Sequence, residues 1–330
     1  MRRSFMLLAL LSSSTFAAVD GTSVNWSDYK DMVNNNCTGT LIGGKFILTA
    51  AHCYDIKNTV ITQDGAWINP TVVNDHLNYP GVEGYDLSVL TLPNRLETTY
   101  IHYFADLNSD PVRNGDEVRL FGFAGTQDQL SYATMTVDTT PTVVTSRYTA
   151  EKTIGGGETQ GGDSGGAWLN SSNDIVGVHN ASDIAGGATD YTFGINLHDS
   201  KDFILDTIDG WHYPTLATAN GAKTITVQSL HTGGSVDSAY SDGNVTITGG
   251  TCKNGAIGEF EKCTYEIEAT GEGKLWLTPT EYIHVNKPAP GTDNGGGSSG
   301  GSMSIFSMFA LLGLGFARNR GCKREAAKIL

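Results

Sequence analysis

Gly161-Gly162-Asp163-Ser164-Gly165-Gly166 is the stretch around which this chain reads most clearly. A serine set between Gly-Asp and two glycines has the features of a nucleophile on a tight turn, because residues without a Cβ let backbone and substrate approach closely. The backbone N–H groups of Gly162 and Ser164 are spaced to converge on one point and hold a developing oxyanion. Taken alone, six such residues read better as a Gly-rich surface turn, so the decision rests on the rest of the chain.

Two further stretches lie upstream: Thr49-Ala50-Ala51-His52-Cys53, and Gly84-Tyr85-Asp86-Leu87-Ser88-Val89-Leu90. Each of His52, Asp86 and Ser164 has an ordinary reading of its own, as a core imidazole, a turn acid before a buried strand, and a turn residue. Their order, imidazole then carboxylate then hydroxyl, argues against an α/β-hydrolase. In these three local contexts the chain, over roughly residues 18–212, resembles the chymotrypsin-like (trypsin-like) serine peptidases. The resemblance implies two six-stranded antiparallel barrels with His52, Asp86 and Ser164 in the cleft between them. It implies that His52 is general base and then general acid, that Asp86 fixes the imidazole tautomer, and that Gly162 and Ser164 supply the oxyanion donors. The reaction expected is peptide-bond hydrolysis, with protein or peptide substrates as partners. A protease-like surface binding protein is the alternative from another class; it would show a substituted triad, and none is seen.

The resemblance also implies a substrate pocket. Glu158, six residues before Ser164, falls at the pocket floor, where an acid pairs with a substrate Lys or Arg, and this favours cleavage after basic residues. Thr159 and His179 resemble the residues that bind an acidic side chain in glutamyl endopeptidases, so cleavage after Glu is the alternative. Thr189 stands near a position usually held by glycine and would narrow the pocket. Gln160 stands where the family has a cysteine, so the disulfide that normally precedes the nucleophile is missing.

Arg2 and Arg3, the apolar run 5–11 and small residues up to Ala17 have the layout of a signal peptide, residues 1–17, too short for a transmembrane anchor. Cleavage there leaves Ala18 first, or Val19 if one residue later. The resemblance implies that this new ammonium pairs with Asp163. At the other end a Gly/Ser tract precedes the apolar stretch 303–317 and a basic tail. This combination resembles the GlyGly-CTERM sorting signal of Gram-negative bacteria, which implies export, transient inner-membrane anchoring, removal by a rhombosortase-type protease, and an extracellular or cell-surface product.

The whole chain of 330 residues carries a formal charge of −14. Without residues 1–17 and 303–330 it keeps 14 basic and 34 acidic residues, a charge of −20, which speaks against nucleic-acid binding. Of five cysteines, Cys322 lies in the tail and the remaining four suit an oxidising compartment. The resemblance implies a Cys37–Cys53 pair anchoring the histidine loop; Cys252 and Cys263 are a second candidate pair. His-Glu-x-x-His is absent and the eight histidines show no ligand spacing, so neither metal nor cofactor is expected.

Short β-prone runs punctuated by Gly, Asn and Asp, at 40–42, 46–49, 87–92, 117–123, 134–138, 175–179 and 191–196, predict an all-β domain. Residues 200–209 have helical spacing, with Ser200 as N-cap and Gly210 as stop. Alternating runs at 224–230, 244–248, 263–269 and 274–278 predict a small immunoglobulin-like β-sandwich serving as a spacer. The expected organisation is thus signal peptide 1–17, protease domain 18–218, β module 222–287, linker 288–302 and sorting tail 303–330. Five Asn-x-Ser/Thr sites, at Asn25, Asn36, Asn170, Asn180 and Asn244, carry no further weight.

Overall fold

The computed structural model describes residues 20–56, 59–81, 83–138, 146–182 and 191–289. The expected signal peptide and sorting tail, all but the first two linker residues, and Thr189 lie outside these. Among the described residues no helix is long and apolar enough to cross a membrane.

The chain is nearly all β, and the predicted β-prone runs become strands with modest shifts at their ends. Thr38–Ile42, Phe46–Thr49 and Ser88–Thr91 pair antiparallel at the centre of an open seven-stranded sheet. Their inward residues, with Val33 and Val60, make a small core of Leu41, Ile47, Leu90 and Leu92. Trp67–Ile68 and Val72–Asp75 form the two ends of this sheet. They are joined through Pro70, which has no N–H to donate, and among the described residues the sheet stays a half-barrel.

The second sheet closes. Leu130–Val137, Arg147–Lys152, Tyr191–Asn196, Ile175–Ser182, Ala167–Leu169 and Glu117–Gly122 follow one another, and the last pairs back onto the first, giving a six-stranded barrel. Thr22–Val24 adds to its outside edge. Closure leaves no unpaired edge, and the interior fills with Phe121, Phe123, Trp168, Val178 and Ile195, all at or near zero exposure. One closed barrel beside a half-barrel, in place of the two six-stranded barrels expected, is consistent with the chymotrypsin fold.

The helix predicted over 200–209 spans Lys201–Ile208 and buries Ile204, Leu205 and Ile208. It stops one residue before the expected Gly210: Asp209 takes the left-handed conformation, with its N–H returned to the Leu205 carbonyl.

Beyond the helix, Gly210–His212, Gly221–Leu230, Lys262–Trp276, Tyr282–Val285 and Leu216–Ala217 form one sheet, with Tyr240–Gly249 added to Lys262–Trp276. A separate two-stranded pair joins Ser235–Val236 to Ala256–Ile257. The sheet therefore draws strands from residues before 222, and residues up to Lys287 group as one compact unit. Two predicted runs, 263–269 and most of 274–278, fall on one fifteen-residue strand, which bulges at residues 270–272 where its pairing shifts between Gly243 and Val245. Strict alternation along Lys262–Trp276 buries Tyr265, Ile267 and Leu275 on one face. Cys252–Cys263 is disulfide-bonded at the edge of that core.

Candidate active site

The imidazole and the carboxylate meet because their strands do. Phe46–Thr49 runs into a 3-10 turn, Ala51–Ile56, that carries His52, and the Cys37–Cys53 disulfide ties this turn to the start of Thr38–Ile42. Asp86 immediately precedes Ser88–Thr91, whose Ser88 lies opposite Thr49. This register sets Asp86, almost fully buried, beside His52. One carboxylate oxygen accepts the His52 backbone N–H at 2.8 Å; the other lies 2.5 Å from His52 Nδ1. Nδ1 is therefore the protonated nitrogen beside the acid, and Nε2 faces away from it.

Asn180 completes the surroundings of the carboxylate, donating from Nδ2 to the same Oδ2 at 2.5 Å. The sequence offered Asn180 only as a glycosylation pattern. It sits where the register between Ile175–Ser182 and Tyr191–Asn196 slips, between His179 and Ala181, and a bulge of this kind re-aims a side chain.

The serine turn is pinned from both sides. The Ser164 carbonyl accepts the Thr38 N–H at 2.8 Å, and the Gly162 carbonyl accepts Thr38 Oγ1 at 2.9 Å. On the opposite side the Gly165 N–H donates to the His179 carbonyl and the His179 N–H to the Gly166 carbonyl, both at 2.8 Å. Gly162 and Gly165 have φ of +102° and +83°. A Cβ on Gly165 would lie 2.1 Å from Thr49 Oγ1 and 2.9 Å from the Ala50 nitrogen, so this turn abuts the chain two and three residues before His52. Thr38, which no sequence pattern singled out, joins the two halves: its carbonyl also accepts Thr49 Oγ1 at 2.8 Å. Among the described residues neither the Gly162 nor the Ser164 N–H donates to a protein acceptor.

Asp163 points inward, 1% exposed, accepting the Ala124 and Gln160 N–H groups at 2.8 and 2.9 Å. Burial pushes its carboxyl up to about 6, against the lowering effect of those two donors. The chain enters nearby: a Cβ on Gly157 would meet Gly21 Cα at 2.6 Å.

The expected pocket residues separate. Glu158 forms an ion pair with Lys152. Thr159 and His179, by contrast, are buried and joined through hydroxyls: Thr159 Oγ1 contacts Ser182 Oγ and lies 3.2 Å from Thr192 Oγ1, which lies 3.3 Å from His179 Nδ1. Burial, with the nearby His52, lowers His179 to about 3, so its imidazole is neutral. Ser182 and Thr192 were not legible beforehand, since only strand pairing brings them to Thr159. Cys37, His52 and Cys53 also cluster within 4.8 Å, but both sulfurs are bound to each other, and the cluster reflects loop closure rather than a metal centre.

A family model described as Trypsin matches residues 20–204, more than half of the chain. Among solved structures, a mutant of human heparin binding protein (CAP37) superposes with a TM-score of 0.50 at 18% identity, over 58% of this chain and 95% of that one. Secreted serine protease VesC from Vibrio cholerae aligns at 16% identity and TM-score 0.48, over 82% of this chain and 72% of its own. The Vibrio cholerae VesB protease aligns at 15% identity and TM-score 0.48, over 82% of this chain and 100% of its own. No curated protein sequence matches significantly.

Proposed function

Because the chain belongs to the trypsin family of serine peptidases, we propose that it is an exported endopeptidase that cleaves after acidic residues, glutamate foremost, through an acyl-enzyme on Ser164. His52 Nε2 takes the Ser164 hydroxyl proton as Oγ attacks the scissile carbonyl, then returns it to the leaving amine; the same cycle with water releases the acyl group. Asp86 stabilises the imidazolium, and the Gly162 and Ser164 N–H groups receive the oxyanion. The observation that carries the peptidase chemistry is the hydrogen-bonded His52–Asp86–Asn180 arrangement, with the histidine loop packed against the Ser164 turn.

The acid preference rests on two contrasts. Glu158, on which cleavage after Lys or Arg depends, already has a cation, so an incoming basic side chain would have to displace Lys152. The linked hydroxyls of Thr159, Ser182 and Thr192, ending on a neutral imidazole, offer donors to a carboxylate without opposing charge. Thr189 remains assigned to the pocket wall by resemblance alone.

The proposal extends to the ends of the chain: signal peptide 1–17, linker 288–302 and a sorting tail 303–330 removed after transient membrane anchoring. A new N-terminus at Ala18 or Val19 would bring its ammonium to Asp163, which has no cation among the described residues and lies buried.

The test is turnover of matched peptides that differ only in Glu or Arg before the scissile bond. The expected result is preference for Glu, loss of all turnover in Ser164→Ala, and a fall in kcat/KM of about 100-fold or more, specific to Glu peptides, in His179→Ala. Preferential cleavage after Arg, abolished by Glu158→Gln, would restore the basic reading.

A further inference from the structure

Away from the triad, a cavity of about 390 Å³ opens where the half-barrel meets the outer face of the C-terminal sheet. Three cations, Arg95, Lys274 and Lys287, line it together with His284, with Glu97 as its acid and Tyr282 as its aromatic wall. Such a collection of cations stands out in a chain with 35 acidic and 21 basic residues.

The sheet explains how the cations are held. Outward positions alternate with buried ones, and pairing aligns Tyr240, Trp276 and Tyr282 in one row and Asp242, Lys274 and His284 in the next. Arg95 lies 3.7 Å above the Tyr282 ring and donates Nη1 to the Tyr282 carbonyl and the Tyr213 hydroxyl, at 2.7 and 3.1 Å. Lys274 lies 4.4 and 4.9 Å over the Tyr282 and Trp276 rings. Stacked cations of this kind are ordered before any ligand arrives, which reduces what binding must immobilise. Lys287 pairs with Glu97 at an exposed position, a weak contact that another anion can exchange.

We propose that this cavity and the adjoining aromatic row bind an acidic polysaccharide. Carboxylate or sulfate groups suit Arg95, Lys274 and Lys287, and the half-exposed Tyr240 beside Trp276 offers ring surface to a pyranose. The acceptors interleaved with the cations, Asp242 and Glu272, distinguish the occupant. Asp242 already accepts the Lys274 N–H and Trp276 Nε1, and Glu272 contacts His284 Nε2, so what they offer is spare lone pairs: the hydroxyls between the charges of a uronate polymer can donate to these, whereas the carboxylates of an acidic peptide cannot. The site would hold the peptidase on an acidic glycan while its cleft, a separate surface, acts on protein.

Retardation of the full chain in native gels containing polygalacturonate tests this, with dextran, poly-glutamate of D residues, which the peptidase cleft does not process, and single-stranded DNA as comparison polymers. The expected result is retardation by polygalacturonate alone, weakened at least tenfold in Lys274→Ala/Lys287→Ala and several-fold in Trp276→Ala, with small-peptide turnover unchanged as the control for folding. Absence of retardation, equal retardation of the double variant, or equal retention by poly-glutamate or DNA would each overturn the assignment.

Discussion

Asp86 answers to three donors: the backbone and ring nitrogens of His52, and the amide of Asn180. Removing one leaves the carboxylate buried and under-satisfied, which costs about 1–3 kcal/mol in position or solvation. Asn180→Ala should therefore lower kcat by roughly ten- to 100-fold with little change in KM, and shift the pH dependence of kcat. An unchanged kcat and pH profile would assign Asn180 a purely structural place. Three buried groups contribute to the response to pH with opposing signs. His179 and His212 are held at about 3 and 4 by burial, so the unfolded chain binds more protons below 6.5 and acid destabilises the fold. Asp163 acts oppositely. Its folded carboxyl keeps a proton up to about 6 while an unfolded one loses it near 3.8, so its burial costs about 3 kcal/mol once pH rises through 6. A freed N-terminal ammonium would remove that cost. Asp163→Asn should thus raise the melting temperature of an N-terminally blocked form at pH 7.5 and lower that of the processed form; the same sign in both would refute the pairing. His52, Asp86 and Ser164 were legible because each carries its local context with it, whereas Asn180, Ser182 and Thr192 acquire meaning only through strand register and a bulge.

At the scale of elements, the serine turn and the histidine loop form one packed joint. A methyl group on Gly165 would enter the space of Thr49 Oγ1, the Thr38 carbonyl and the Ala50 nitrogen, at a φ that L residues resist. Gly165→Ala should reduce kcat by at least 100-fold and lower stability by about 1–3 kcal/mol, since the turn must move from the histidine loop to accept the change. Retention of wild-type kcat would show that the turn is not set by this contact. In the C-terminal sheet strand positions were readable from alternation because one face is buried, while the barrel strands, some buried on both faces, were readable as short punctuated β-prone runs. The join of 263–269 to 274–278 was not, because Gly271 and Gly273 resemble a turn signal, while in the sheet they lie within one bulged strand. The helix stop was misread by one residue for a similar reason: Asp209 adopts the left-handed conformation that Gly210 was expected to supply.

At the scale of the molecule, the C-terminal sheet is built into the peptidase, although its sequence reads as a spacer. Gln228 is fully buried; its Oε1 accepts the Phe104 N–H at 2.9 Å, and its amide donates to the Phe104 and Phe260 carbonyls at 2.8 and 2.9 Å. His212, also buried, accepts the Gly43 N–H at Nδ1 and donates from Nε2 to the His102 carbonyl, joining the sheet to the half-barrel and to the segment between the barrels. These bonds run to backbone groups that have no water to fall back on, so the two parts should unfold together. Gln228→Ala strands one N–H and two carbonyls and should cost roughly 2–4 kcal/mol. The signature is cooperative: heating the wild-type chain should give one transition, monitored equally by peptidase activity and by the fluorescence of Trp211 and Trp276, and the variant should move both probes by the same amount. If activity survives at the wild-type melting temperature while the C-terminal fluorescence change moves down alone, the sheet is a separable spacer after all.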